Sequence, residues 1–364
     1  MPQIHVIIPV YNAKKFLRQA VDSVLNQPYK GIDIVLVNDG STDGSAELCD
    51  EIAAEENRIH VIHQKNQGVS VARNSGIEYI LTKRKNGLDQ CYIAFLDADD
   101  KWSEDFFDDA ILSLFAKGYS LIGFQSCVSN GDLSRRVQTI PIKSGLHPGG
   151  AASVWLHSGQ HFCAMFYSAQ LLQQYEIRFA PGLKYTEDKI FRMQCLYLAE
   201  NVWLENKLLH YYRMVQNSAM HRRKQGISYY VPIIDAYMKS DSMMIPYANA
   251  QRGKLDSGKV LAGIYVMDML EEHYENFGSK KEADLLLTQR PEYVELLHTP
   301  FVQNEKKAYH RWISMKEHPF KFRLRCCLRG AIRKTIRFVY TIVYTIPFFA
   351  AIIDKKRYPV MIEK

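Results

Sequence analysis

The 364-residue sequence lacks several patterns that would assign it to a well-defined class at once. Its seven cysteines are scattered without a CxxC pair, so we expect reduced thiols in a cytosolic compartment. No GxGxxG follows the first apolar run and GxxxxGK[ST] occurs nowhere, which argues against NAD cofactors and P-loop nucleotides. His157 and His161 lie four residues apart, but the Glu of HExxH is missing, so we expect no zinc site. Internal repeats and low-complexity segments are absent as well.

Most of the chain also lacks an excess of charge. The formal net charge is +7, yet residues 316–364 alone contain twelve Lys and Arg against three Asp and Glu. This distribution argues against a main surface that binds nucleic acid and predicts a local anionic partner for the C-terminal segment. Hydrophobic residues make up 47% of the sequence, which excludes a disordered chain and fits one large or two ordinary domains.

The first hundred residues alternate between short apolar runs and segments with helical spacing. The apolar runs predict four buried strands, at residues 4–11, 32–39, 58–63 and 92–99. Because single helices separate them, we expect right-handed βαβ units and a parallel sheet. The first run ends in a turn, so we interpret it as a strand and not as a signal peptide. Residues 103–225 show a mixed pattern, and residues 228–300 are typical of helices.

Polar or acidic residues follow three of the four predicted strands. Since ligands bind at the carboxyl ends of parallel strands, we expect Asn12, Asp39 and the Asp97–Asp100 turn to converge. Asp97 and Asp99 could reach one hard divalent cation, which normally completes its shell with phosphate oxygens and so suggests a nucleotide diphosphate donor. The alternative for this pair is a capped turn. Asp39 could bind a base N–H or a ribose hydroxyl, or be an ordinary turn residue.

The C-terminal segment differs in character from the rest of the chain. Residues 321–338 place Arg and Lys among apolar residues, and residues 338–353 are sixteen uncharged residues. A spanning helix needs about 20 residues, and Pro347 would kink this one, so we expect it to lie in the membrane interface. A helix docked on the body and a nucleic-acid contact are the alternatives.

Six motifs occur together in this sequence: PVYN (9–12), VNDGSTDGS (37–45), NQGVSVARNSGI (66–77), FLDADD (95–100), TEDKIF (186–191) and HYYRMVQNS (210–218). In order and spacing the set resembles family-2 inverting glycosyltransferases with the GT-A fold. The resemblance covers about residues 1–220 and implies an α/β fold with a Rossmann-like, mostly parallel sheet flanked by helices. We therefore expect a GT-A domain over residues 1–225, a helical C-terminal extension over 226–315 and a basic, membrane-associating tail over 316–364.

The resemblance also implies roles for individual residues. Those expected to bind the nucleotide are Pro9, Tyr11, Asn12, Asp39, Arg73 and Asp97. Asp39 would bind the base, often uracil, and Arg73 would face the donor unless it forms a structural salt bridge. Asp99 would hold the metal ion, Mn²⁺ or Mg²⁺, with Asp97 at the ribose or in the metal shell. Asp100 would orient the loop.

Asp188 resembles the catalytic base of the family. Such a base removes the proton of an acceptor hydroxyl as it attacks the anomeric carbon opposite the departing nucleoside diphosphate. Asp188 lies in the first turn of a predicted helix, where the dipole favours the ionised carboxylate, although acidic residues are common there for that reason alone. Its neighbour Glu187 is the alternative base. Arg213 or His210 could close over the diphosphate as a cationic lid, or belong to a solvated strand edge.

We therefore expect an inverting enzyme that moves a hexosyl or N-acetylhexosaminyl group from a nucleotide-sugar donor, first of all a UDP-sugar, to a hydroxyl of a glycan. The tail suggests a polyprenyl-linked acceptor, cell-surface polysaccharide synthesis and a place on the cytoplasmic face of the membrane. One alternative is a sugar nucleotidyltransferase, which usually carries a Gly-rich basic loop where this chain has PVYNAKKF. The other is a non-catalytic membrane scaffold on a decayed transferase fold, against which all expected acidic residues are present.

Overall fold

The computed structural model describes most of the chain as far as Leu297. The residues it describes are 2–84, 87–129, 131–133, 136–139, 142–150, 161–183, 186–214, 227–244, 259, 262–263, 265–266, 269–270 and 280–297. The predicted membrane-associating tail and His157 lie outside these residues.

The N-terminal part alternates strands and helices in the predicted order. Its elements are β1 (Gln3–Val10), α1 (Lys14–Leu25), β2 (Ile32–Asp39), α2 (Ser45–Glu55), β3 (Ile59–Gln64), α3 (Val69–Lys83) and β4 (Cys91–Phe95). The four-strand prediction is therefore confirmed. β4 ends at Phe95, so the acidic residues 97–100 occupy the turn after the strand and not the strand itself.

Shorter elements follow as far as residue 213. They are β5 (Lys101–Trp102), α4 (Asp109–Ala116), β6 (Leu121–Ser129), β7 (Arg136–Thr139), β8 (Gly145–Pro148), a 3-10 turn (Phe162–Ala164), β9 (Met165–Ser168), α5 (Ala169–Gln174), α6 (Glu187–Leu198) and β10 (Asn201–Arg213). The helix expected to open at residues 186–188 thus begins at Glu187.

All ten strands belong to one sheet, in the order β3-β2-β1-β4-β9-β6-β10-β5, with β7 beside β6 and β8 beside β10. β3, β2, β1 and β4 run parallel, as expected. β9 is antiparallel to both β4 and β6, and β5 is antiparallel to β10. "Mostly parallel" therefore holds for the first half of the sheet, while the second half is mixed. Hydrophobic periodicity reveals a strand but carries no information on the direction of its neighbour, which explains the difference.

Close packing between α3 and β1 brings polar residues of α3 to the sheet. A Cβ on Gly76 would lie 2.7 Å from Cγ2 of Ile7, so only a glycine allows the helix to approach this near. Arg73, one turn earlier, is buried as a consequence and lies beyond the carboxyl ends of the strands, next to Asp97.

The described residues after β10 are helical: α7 (Ile227–Met244), α8 (Lys280–Gln289) and α9 (Pro291–Leu297). Contacts divide the chain into two units, one of residues 1–225 and 231–259, the other of residues 226–230 and 260–364. Among the described helices none combines the length and apolarity that crossing a membrane requires. The five described cysteines are buried free thiols, as the scattered spacing predicted.

Candidate active site

A hollow of about 680 Å³ opens at the carboxyl ends of β1, β2 and β4. Its wall includes six residues singled out from the sequence: Pro9, Tyr11, Asn12, Asp39, Asp97 and Asp99. The predicted convergence of three strand ends is therefore confirmed. The volume lies within the range of about 300–1,000 Å³ that is usual for small-molecule sites.

Asp39 forms one wall and holds the loop that leads into α3. Its Oδ1 accepts hydrogen bonds from Gln64 Nε2 at 2.8 Å and from the Gln67 N–H at 2.9 Å. Its Oδ2 accepts one from the Gly68 N–H at 2.8 Å. Because a carboxylate has about four acceptor positions, one on Oδ2 stays available to a donor in the hollow.

The turns after β1 and β2 are bonded to each other at the mouth of the hollow. Asn12 accepts a hydrogen bond from the Thr42 N–H at 2.8 Å, and its own N–H donates to Ser41 Oγ at 3.1 Å. Gly40 has a φ of +71°, and a Cβ there would lie 2.8 Å from a backbone nitrogen of the loop before α3. Tyr11 is 54% exposed, so its ring is free to cover a flat ligand.

The turn after β4 concentrates negative charge on the opposite wall. Burial, together with the neighbouring carboxyl groups of Asp100 and Asp97, raises the pKa of Asp99 to about 7. The N–H of Asp99 itself and the charge of Arg213 oppose this rise but do not offset it. The turn therefore presents a carboxyl group whose charge its surroundings do not neutralise.

Asp97 is neutralised differently, by a buried arginine. Burial alone would raise the pKa of Asp97, but attraction and a 2.8 Å hydrogen bond from Arg73 Nη2 hold it below its usual range. Arg73 Nη1 donates to Glu187 Oε1 at 3.0 Å. Arg73 is 4% exposed and is not among the residues that line the hollow. The structure thus places it in an internal salt bridge, the alternative left open from the sequence.

Glu187 and Asp188 begin α6 after a left-handed Thr186 with a φ of +66°. Burial raises the pKa of Glu187, with Arg73 opposing the rise and Asp188 adding to it. Asp188 is partly buried and, like Glu187, is not among the hollow's lining residues. Glu187 is connected to the wall of the hollow through Arg73, which bonds to both Glu187 and Asp97.

His210 does not fit the expected cationic lid. It is fully buried on β10, with Nε2 2.9 Å from Asp100 Oδ2 and Nδ1 2.8 Å from Ser126 Oγ. Burial lowers the pKa of His210 to about 4, so the ring is neutral at pH 7. Asp100, 1% exposed, also accepts a hydrogen bond from the Arg213 N–H at 2.7 Å. The prediction that Asp100 orients the loop is confirmed.

The guanidinium of Arg213 is likewise engaged inside the protein. It donates to the backbone oxygens of Asp99 and Gly131 and to Oε1 of Gln19, and its Cζ lies 4.6 Å from the ring centroid of Phe16. The bond to the Asp99 backbone oxygen holds the acidic turn in place from within the protein. A lid over a diphosphate would have to break these hydrogen bonds, so the expectation for Arg213 is not met in this conformation.

Sequence reasoning missed a group formed by His161, Cys163 and His210, whose potential ligand atoms lie within 4.8 Å of one another. The two imidazole rings stack at 4.6 Å with 25° between their planes. Ring nitrogens bind metals in the plane of the ring, so stacked rings do not point at a common ion. Both nitrogens of His210 already have partners. The group is therefore packing and not a metal centre.

Asp97 and Asp99 are the residues that fit a divalent cation. Both line the hollow, and oxygen ligands are those that Mg²⁺ and Mn²⁺ prefer. Burial, with the neighbouring carboxyl groups of Asp100 and Asp97, raises the pKa of Asp99, and a divalent cation in the hollow would favour its ionised form.

Comparison with known families and proteins agrees with this geometry. Residues 5–175 match the family described as "Glycosyl transferase family 2". Glycosyltransferase GlyA of Streptococcus pneumoniae is 40% identical over 130 residues, which are 36% of this chain and 16% of that protein. The uncharacterized glycosyltransferase EpsJ of Bacillus subtilis is 29% identical over 229 residues, 60% of this chain and 63% of EpsJ. The chain thus spans less than two thirds of either relative.

A solved structure has the same fold at low sequence identity. TarS residues 1–349 of S. aureus superimpose with a TM-score of 0.57 over 81% of both chains, at 16% identity. At that identity the likeness establishes the fold alone, a mixed α/β sheet flanked by helices.

Proposed function

We propose that this protein is an inverting glycosyltransferase that uses a nucleoside diphosphate sugar, because residues 5–175 match glycosyl transferase family 2. The observation that carries the proposal is the single hollow onto which Asp39, Asp97 and Asp99 open from separate strand ends. In this arrangement Asp39 on one wall would bind the base, and Asp97 and Asp99 on the other would bind a metal ion. A nucleoside diphosphate sugar is the class of ligand that requires both a base-binding residue and a metal ion at its diphosphate.

A uridine nucleotide is the first donor to consider. The acceptor position left on Asp39 Oδ2 suits a ring N–H, and Tyr11 offers an exposed ring beside it. TarS, which shares the fold, has been solved in complex with UDP-GlcNAc, and this makes UDP-GlcNAc the first compound to test here.

Asp99 and Asp97 would hold Mn²⁺ or Mg²⁺. A bound divalent cation neutralises the charge that develops on the departing diphosphate. The chain's own part is to keep these two carboxyl groups facing the hollow. Asp100 and Arg213 achieve this through their hydrogen bonds to the turn.

Asp188 is the proposed catalytic base and would take the proton of the attacking hydroxyl. Glu187 is the weaker candidate because its Oε1 is already bonded to Arg73 at 3.0 Å. Both acids lie in the first turn of α6. General-base help of this kind contributes roughly 10²- to 10⁴-fold to the rate.

The proposed acceptor is a hydroxyl of a glycan carried on a polyprenyl lipid, in the synthesis of a cell-surface polysaccharide. Support comes from composition only: residues 316–364 combine twelve basic residues with an uncharged apolar run. Such a segment binds anionic membrane surfaces and would hold the enzyme at the cytoplasmic face, next to its acceptor.

The test is a donor screen with the purified full chain. Nucleotide sugars of uridine, guanosine and thymidine are incubated with a glycan acceptor, with and without Mn²⁺, and release of the nucleoside diphosphate is measured. We expect release from one donor class, with inversion at the anomeric carbon of the product seen by NMR. Asp188→Asn should lower the rate roughly 10²- to 10⁴-fold.

Asp109→Asn is the matched control, because Asp109 is an exposed first-turn acid of α4 outside the hollow. It should leave the rate unchanged. Pyrophosphate release from a sugar phosphate and a nucleoside triphosphate would instead identify a nucleotidyltransferase. Full activity of Asp188→Asn would refute the assigned base.

A further inference from the structure

Arg73 connects two parts of the protein that the proposed reaction uses for different purposes. One terminal nitrogen bonds to Asp97 on the wall of the hollow, and the other bonds to Glu187, the neighbour of the proposed base. These partners lie 90 residues apart in sequence. Burial would lower the pKa of Arg73, but the two carboxylates raise it above its ordinary value, so the guanidinium stays charged.

Two aromatic rings pack against the guanidinium in addition to these ion pairs. Its Cζ lies 4.8 Å from the ring centroid of Phe162 and 5.2 Å from that of Phe179. Phe179 in turn stacks on Phe191 of α6 at 4.0 Å with 2° between the rings. The cation is therefore held in a fixed orientation against the helix that carries Asp188.

The next residue of α3 holds the same segment. Asn74 Oδ1 accepts a hydrogen bond from the Phe179 N–H at 2.9 Å, and Asn74 Nδ2 donates to the Phe179 carbonyl at 2.9 Å. Two consecutive side chains of α3 thus hold neighbouring parts of the chain. Asn74 bonds to the backbone of Phe179, and Arg73 bonds to the side chain of Glu187 in α6.

We infer that Arg73 is a positioning residue: it sets the separation between the carboxylates that face the leaving diphosphate and the carboxylate that deprotonates the acceptor. A planar guanidinium with one carboxylate on each terminal nitrogen fixes both distance and orientation, whereas an ammonium group is a point charge on a flexible stem. The inference rests on the proposed transferase function. It departs from the role in donor contact that the sequence resemblance implied for Arg73.

Arg73→Lys keeps the positive charge but removes the planar guanidinium, which bonds to one carboxylate through each terminal nitrogen. With the donor found in the screen, kcat should fall roughly 10- to 100-fold, because small misplacements of reacting groups cost rates of that order. KM for the donor and the dissociation constant of UDP, measured by calorimetry, should stay within about threefold, since Arg73 is not among the residues that line the hollow. Arg18→Lys is the matched control: it alters a bidentate Arg–Glu pair on the surface, with Glu55, and should change none of these values.

The opposite kinetic pattern would overturn the inference. An unchanged kcat with a KM and UDP dissociation constant raised tenfold or more would place Arg73 in donor contact. Unchanged kcat and KM together would show that the guanidinium of Arg73 does not position the reacting carboxylates. An inactive wild-type protein with every donor would count against the proposed function instead, so the two failures are distinguishable.

Glu187→Gln tests the same link from its other end and serves if Arg73→Lys does not fold. It should lower kcat with little change in donor KM, and the double variant should lose no more than the worse single variant, because both break one unit. Losses that multiply would contradict the inference. A loss in Glu187→Gln of the size expected for a base, with an active Asp188→Asn, would also do so.

Discussion

Asp39 ends β2 and Asp99 lies in the turn after β4, and both line the same hollow, yet their surroundings differ in kind. Asp39 accepts three hydrogen bonds, two of them from backbone N–H groups of one loop. Asp99 stands beside two other carboxyl groups, and its pKa is raised to about 7. The first carboxylate is held by hydrogen bonds within the fold, whereas the second is the proposed metal ligand. Residue type alone therefore does not distinguish a carboxylate with a structural role from one available to a ligand.

Of the substitutions at these two residues, Asp99→Asn should have the larger effect on activity and the smaller effect on folding. Asp99 would hold the cation that neutralises charge on the leaving diphosphate, and losing such stabilisation of the transition state costs roughly 10²- to 10³-fold in rate. The amide also removes repulsion with Asp97 and Asp100, so the thermal midpoint of the cation-free protein should not fall. The effect on activity is measured as the reaction rate over a Mn²⁺ titration, and the effect on folding is measured from melting curves in EDTA. Wild-type activity with unaltered Mn²⁺ dependence would remove Asp99 from the metal site.

Asp39→Asn should lower the stability of the protein more, and its kcat less, than Asp99→Asn does. One oxygen becomes an NH₂ group facing donors, which leaves a buried N–H or amide unsatisfied and costs about 1–3 kcal/mol of folding free energy. The donor KM should rise by roughly tenfold through the lost base contact, with little change in kcat. Chemical denaturation and steady-state kinetics measure these effects. Stability equal to that of wild type would mean that the loop before α3 does not depend on this carboxylate.

The same distinction marks what the sequence could predict. Apolar runs and the residues after them predicted β1–β4, α3 and the hollow, because backbone periodicity and strand ends are local properties. The roles of Arg73 and His210 depend on partners about a hundred positions away, Glu187 and Asp100. A motif gives the residue type at a position, but whether that residue meets a ligand or another side chain is decided by tertiary packing.

His210 illustrates the physical reason most clearly. Its motif alone allowed a cationic lid, since an exposed imidazole is partly charged near neutral pH. β10 instead pairs with β6 on one side and β5 on the other, which encloses the ring between Ser126 and Asp100. Strand pairing of this sort was not predictable, because the antiparallel partners in the second half of the sheet carry no signal in the periodicity.

A smaller effect is expected on the pH dependence of the melting temperature. It would distinguish Asp99 further from Asp39 on the other wall of the hollow. The pKa of Asp99 is higher in the folded protein, about 7, than its ordinary value of 3.8, so the native state binds this proton more tightly than the unfolded state. Its contribution to stability is present below pH 3.8 and is lost as the pH rises through about 7. In EDTA the melting temperature of wild type relative to Asp99→Asn should therefore decline from pH 5 to pH 8. Added Mn²⁺ should stabilise wild type more at pH 8 than at pH 5, since the cation binds the ionised carboxylate, and parallel melting profiles of the two proteins in EDTA would contradict the assigned charge state.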